Sequence, residues 1–169
     1  MPKSRAETNQ EIAFKLSNNL VRLLREFAKD FEYRVLMTLR ERGHETIRPS
    51  HSAVFSNLGM GAVRVTELAE RAQVTQQAMG KMLKELERLG YIARDVDGQD
   101  KRAKEIRLTE AGVKLVEDSM IVVEEVRRDY AEKIGAAELD ELEDRLRTAV
   151  NKIGLTYLPE SWVTEKKDD

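Results

Sequence analysis

Gln76, Gln77, Lys81 and Lys84 recur at spacings that place them on one side of a helix. A glutamine amide can hydrogen-bond an adenine edge through both its donor and its acceptor, and a lysine reaches guanine acceptors or phosphates. Gly80 lies between them and would let the backbone approach a duplex closely. A second cationic group, Lys101, Arg102 and Lys104, falls in the polar stretch 97–104. An arginine on a narrow hairpin tip can enter an A·T-rich minor groove, where the negative potential is strongest. Asp100 stands among these cations, placed to pair with Arg102 and hold its side chain extended, so that less rotamer entropy is lost on binding. Together these groups have the chemistry of double-stranded DNA recognition.

The segment Val65 to Thr109 supplies elements that would position them: helix, tight turn, helix, strand, basic hairpin, strand, the order of a winged helix-turn-helix. Thr66 is the expected N-cap of the first helix, with Glu67 and Glu70 favoured by the dipole in its first turn. Gln73-Val74 makes the turn, and Thr75 caps a second helix over Gln76 to Leu89. Its apolar residues Met79, Met82, Leu83, Leu86 and Leu89 define a core face opposite the polar one. Gly90 ends that helix. Tyr91 to Arg94 has strand composition, and Glu105-Ile106-Arg107-Leu108 returns with the alternation of a half-buried strand. Two readings stand for the glutamines: base-reading side chains or exposed helix starters.

The runs Val65-Thr66-Glu67-Leu68-Ala69, Leu83-Lys84-Glu85-Leu86-Glu87-Arg88-Leu89-Gly90-Tyr91-Ile92 and Asp100-Lys101-Arg102-Ala103-Lys104, then Leu108-Thr109-Glu110-Ala111-Gly112, resemble the multiple-antibiotic-resistance regulator (MarR) family. The likeness covers Val65 to Gly112, while the flanking helices agree in length and order. It implies a dimeric, triangular winged-helix repressor or activator, often relieved by small aromatic acids or other ligands. By the family's pattern Arg102 makes the minor-groove contact with Asp100 orienting it, and Gln76, Gln77 and Lys81 face the major groove. Gly80 departs from the pattern, which more often carries a small hydroxyl or a larger residue there. The chain has no cysteine, which excludes the cysteine-based peroxide-sensing branch.

The net charge of −2 conceals an uneven distribution. Residues 1–63 hold 10 Lys and Arg against 7 Asp and Glu, residues 64–108 hold 10 against 8, and residues 109–169 hold 9 against 16. A DNA reader needs a local basic face rather than a basic whole. No apolar run approaches the 18 residues of a membrane span, and no apolar segment follows Met1-Pro2-Lys3-Ser4-Arg5, so a cytoplasmic protein is expected. There is no Gly-rich phosphate loop, no Gly-x-Ser-x-Gly and no His-Glu-x-x-His. Catalysis and a cofactor are therefore not expected.

The expected fold is mainly α with a small antiparallel β-wing: six helices, the long N- and C-terminal ones forming a dimerisation domain. Residues 1–46 and 136–169 would dimerise, 47–108 would form the winged helix, and 109–135 would link them. The first helix is read as running from Gln10 to Arg42, ended by Gly43-His44. A short helix over His51 to Leu58 follows Arg48-Pro49-Ser50, and Ala62-Val63-Arg64 offers a strand to the wing sheet. Thr109 caps a helix to about Lys133, with Val113, Val116, Met120, Val123, Val126 and Tyr130 as its stripe. Gly135 precedes a last helix, Ala136 to Ile153, carrying Leu139, Leu142, Leu146, Val150 and Ile153. Such stripes serve as internal core, as an interface with a second copy, or as both. Tyr157, Leu158 and Trp162 are expected over that interface.

His44 and His51 are the only histidines. Zinc with Glu41 or Glu45 is one use for them, although there is no i, i+4 pair and no metal is expected. Another is an effector pocket in which Arg48 and His51 meet a carboxylate or phenolate between apolar walls of Phe27, Phe31 and Phe55. A third is no ligand at all. The functional expectation is a homodimeric transcription regulator that binds a pseudo-palindromic operator as a repressor, released by a small aromatic or anionic effector. The alternative is a dimeric winged-helix module for protein contacts without specific DNA binding.

Overall fold

The computed structural model describes residues 5–59, 61–96 and 104–158. Within them the helices are α1 (Arg5–Ser17), α2 (Leu20–Glu41), α3 (Ser52–Leu58), α4 (Val65–Arg71), α5 (Gln76–Arg88), α6 (Glu110–Ile134) and α7 (Ala136–Ile153). A 3₁₀ turn, Pro49–His51, leads into α3. The strands β1 (Val63–Arg64), β2 (Ile92–Val96) and β3 (Lys104–Leu108) form one antiparallel sheet in the order β1-β3-β2.

Seven α-helices rather than six result from a break in the first. Ser17-Asn18-Asn19 turns its side chains back onto the backbone: Ser17 Oγ donates to the Ala13 carbonyl and Asn18 Nδ2 to that of Phe14. Asn19 Nδ2 donates to the Lys15 and Leu16 carbonyls while Asn19 Oδ1 accepts from the Arg22 amide. Short polar side chains that compete for backbone groups in this way end one helix and cap the next. Helix α4 also departs from expectation. Its N-cap is Arg64, and Thr66 is inside the helix. Pairing of Val63 with Ile106 and Arg64 with Glu105 keeps the chain extended up to Arg64, so the helix starts directly from the strand.

The other punctuation follows chemistry visible in the chain. Thr75 Oγ1 accepts from the Ala78 amide and Thr109 Oγ1 from the Gly112 amide, each 3.1 Å away, as N-caps do. Helix α5 closes with Tyr91 N–H on the Leu86 carbonyl and Gly90 N–H on that of Glu87, around Gly90 at φ +81°. This paired closure requires a left-handed residue, which glycine adopts at little cost. The same pattern ends α4, with Gln73 at φ 53° in the left-handed position.

The core gathers Leu58, Leu68, Met79, Leu83, Leu86, Ile106 and Leu115, all essentially without solvent exposure. It lies where α3, α4 and α5 meet the inner face of the sheet and the start of α6. Val122, Val126 and Tyr130 continue it along α6, which packs against α2 and α7. The rings of Phe27 and Phe31 each lie 5.2 Å from that of Tyr130. The α6 stripe is thus shifted: Leu115 and Val122 turn inward, whereas Met120 and Val123 are exposed. On α7 only Leu139 is buried, and α1 buries no residue.

His44 joins the loop after α2 to α6 through Asp118, Nε2 to Oδ2 at 2.8 Å, and Lys114 shares that oxygen at 2.9 Å. The His44 hydrogen bond, then that of Lys114, holds the Asp118 carboxyl below its ordinary pKa. A depressed carboxyl pKa stabilises the fold above the unfolded value, and the contribution is lost as the pH falls through the folded one.

The tightest backbone approach is at Gly112 on α6. A Cβ there would stand 2.0 Å from the Tyr91 carbonyl oxygen. That oxygen accepts from the Thr109 amide, so it cannot withdraw without loss. Gly112→Ala is therefore expected to destabilise the fold by about 3 kcal/mol, the upper part of the overpacking range, measured by urea unfolding of the two proteins.

Candidate nucleic-acid interface

Helix α5 has two chemically distinct sides. Met79, Leu83 and Leu86 are buried, whereas Gln76, Gln77, Lys81 and Lys84 are exposed. The buried set, at i, i+4 and i+7, fixes which side faces the core and so leaves the polar set to solvent. All four exposed side chains have donors, and they lie toward the N-terminal end, which HTH proteins direct at base edges. Thr75 spends its hydroxyl as an acceptor for the Ala78 amide and remains exposed at the helix entrance. A Cβ at Gly80 would meet nothing within 4 Å. The fold does not require glycine at that position.

The sheet holds the wing beside this helix. Ile92 pairs with Leu108 and Arg94 with Ile106, so Ile92, Arg94 and Ile106 share the inner face. Arg94 reaches from that face to α5, its Nε 3.1 Å from Glu87 Oε2. Asp100, Lys101, Arg102 and the side chain of Lys104 lie outside the described residues. Strands β2 and β3 set the positions from which the intervening chain departs, at Val96 and Lys104.

The expected pocket residues separate into two groups. Phe31, Arg48 and Phe55 line a cleft of about 1090 Å³ between α2, α3 and α6, whose wall also includes Val116 and Met120. Phe27 is off that wall and packs against Tyr130. His51 is fully buried behind it, with Nε2 3.3 Å from Glu85 Oε2. His44 is engaged with Asp118. Among the described residues no group of three or more His, Asp or Glu could hold a metal. None of the described helices is long and apolar enough to cross a membrane.

Two glutamates that tie α5 to its surroundings, Glu85 and Glu87, are not marked out by the sequence pattern. Glu85 shares the half-buried flank of Met82 and Leu89, and Glu87 reaches Arg94. The available signal is only a carboxylate three residues from Met82 and four from Leu89.

A three-stranded sheet packed beside a helix pair, with one donor-rich helix face exposed, defines a winged helix-turn-helix fold. Residues 45–103 match the profile of the MarR family. Wild-type MarR from E. coli, in its apo form, is 21% identical over 78% of this chain and 96% of its own, with a TM-score of 0.65. MepR, a transcription regulator of the Staphylococcus aureus multidrug efflux pump MepA, is 22% identical over 80% and 98%, with a TM-score of 0.60. Transcriptional regulator Tm0710 from Thermotoga maritima is 22% identical over 78% and 94%, with a TM-score of 0.59. These likenesses give the fold, and the profile match is confined to residues 45–103. The chain thus has the fold of these transcription regulators, and its residues 45–103 resemble the MarR family.

Because the fold leaves Gly80 free, Gly80→Ala is expected to raise stability by about 1 kcal/mol through helix propensity. If the backbone approaches DNA there, the same variant loses affinity while its melting temperature rises. Thermal unfolding alongside a DNA titration measures both.

Proposed function

We propose that this protein is a homodimeric repressor that reads a pseudo-palindromic operator. Each subunit places Gln76, Gln77, Lys81 and Lys84 in the major groove, entered at Thr75. Arg102, oriented by Asp100 and flanked by Lys101 and Lys104, reaches the adjoining minor groove. The observation that carries this reading is the division of α5 into a buried apolar side and an exposed side bearing these donors. Exposed apolar side chains along α1, at the start of α2 and on α7 support a second copy as partner: Phe14 and Leu20 on the first two, Leu142 and Ile153 on the last. Covering such stripes would set two recognition helices about one DNA turn apart. The cleft containing Phe31, Arg48 and Phe55 suits a small aromatic or anionic effector, with Arg48 as its cation.

Fluorescence anisotropy against DNA from upstream of its own gene and a scrambled duplex of equal length, at two salt concentrations, tests the reading. A preference of tenfold or more, about 1.4 kcal/mol, is the expected result. Weak, equal binding that vanishes at the higher salt would instead favour a module for protein contacts. Arg102→Ala should weaken binding and flatten the salt dependence by about one ion while leaving the dimer intact in sedimentation. Gln77→Ala should cost about 1–3 kcal/mol of discrimination at one base pair, with little change on scrambled DNA.

A further inference from the structure

Apolar packing sets which side of a helix faces the core. Because dispersion and burial are not directional, it constrains the fine rotation about the helix axis less tightly than hydrogen bonds and ion pairs do. Base reading demands more. At a side-chain radius of about 6 Å, a roll of ~20° would move a reading atom by ~2 Å. Hydrogen bonds weaken steeply with such errors, and functional side chains need placement within about 0.5 Å.

The flank of α5 that borders the core carries one carboxylate, Glu85. Its Oε1 lies 3.0 Å from Arg48 Nη1 and its Oε2 3.3 Å from His51 Nε2. The imidazole has no solvent exposure. Its Nδ1 accepts the Arg48 backbone amide at 3.2 Å, which leaves Nε2 to carry the proton of the neutral ring. Nε2 has no well-aligned hydrogen-bond partner, and the acceptor it faces is Glu85. A buried donor in that position resists any motion that removes its acceptor, since an unmet buried polar group is costly.

The platform behind these groups is itself anchored. Arg40 on α2 donates through Nε and Nη2 to the Ile47 carbonyl, at 3.1 and 2.9 Å, immediately before the turn that holds Arg48 and His51. On the other edge of α5, Glu87 meets Arg94 of β2. The recognition helix is therefore tied by charge on two sides, to the 3₁₀ turn and to the wing.

We propose that Glu85 is a positioning residue for DNA recognition: held by His51 and Arg48, it fixes the roll of α5 and so the register of Gln76, Gln77 and Lys81 on the bases. The inference rests on the DNA reading above. Its action is on specificity more than on stability, because the Arg48 half of the contact is 62% exposed and exposed ion pairs stabilise little.

The test uses the full chain and duplexes enriched by the wild-type protein from a randomised pool. Affinities for an enriched duplex and for a scrambled one are measured for wild type, Glu85→Gln, Arg48→Gln and the double variant, with melting temperatures. Glu85→Gln should lower affinity for the enriched duplex at least tenfold while changing that for the scrambled duplex less than twofold. Arg48→Gln should act in the same direction, and the double variant should lose no more than Glu85→Gln alone. If Glu85→Gln does not fold, the same comparison is made with Arg48→Gln. Discrimination within twofold of wild type, or equal loss on both duplexes, overturns the proposal alone. Failure of the wild type to enrich any sequence overturns the DNA reading and this proposal with it.

Discussion

The Tyr91 carbonyl is where the winged helix and the long helices are joined. Its oxygen accepts the Thr109 amide, the Cα of Gly112 lies against it, and Thr109 Oγ1 donates to the neighbouring Gly90 carbonyl at 2.6 Å. The end of α5, the entry to β2, the exit of β3 and the first turn of α6 thus meet within two residues on each side. Each element there is constrained by main-chain bonds rather than by side-chain packing alone. The direction of α6, and the placement of α2 and α7 packed on it, follow from a junction built on the end of α5.

Charge is arranged to suit this geometry. The acidic excess lies in residues 109–169, beyond the last strand of the sheet in the chain. On α6 and α7 much of that acid is engaged locally: Arg127 binds Asp140 and Glu143, and Arg42 of the loop after α2 binds Glu125. Tyr130 donates to Asp30, and that hydrogen bond, followed by the one from Arg34, holds the Asp30 carboxyl below its ordinary pKa. The lysines of α5 have no such acidic partners among the described contacts, so their charge remains available at the surface.

Features set by local rules were legible in the sequence. Thr75, Gly90, Thr109 and Gly135 bound helices because capping and left-handed closure depend on a few adjacent residues, and the period of Met79, Leu83 and Leu86 fixed the inward side of α5. Some helix boundaries were not. Thr66 looked like a cap because a threonine preceded Glu67, but pairing of Arg64 with Glu105, some forty residues distant, moved the helix start. The apolar stripe of the first helix continues across Ser17-Asn18-Asn19, so periodicity alone predicts one unbroken helix there. Apolar periodicity records which side is sticky, and side-chain bonds to the backbone decide whether the helix continues. Contacts such as those of Glu85 with Arg48 and His51 were illegible for a further reason. They join residues more than thirty positions apart, and neither partner's local pattern specifies the other.

Asn19 holds both ends of that break with one side chain, its amide on the last carbonyls of α1 and its oxygen on the first turn of α2. Helix α1 has no buried residue to set its direction independently. Swinging it requires the exchange of a few exposed hydrogen bonds with water, each of about 1 kcal/mol, and leaves the backbone ladder of α2 intact. Within a single chain the N-terminal arm is thus a lever on a pin, joined to α2 by one side chain's bonds, and its direction is left to whatever covers its exposed apolar residues.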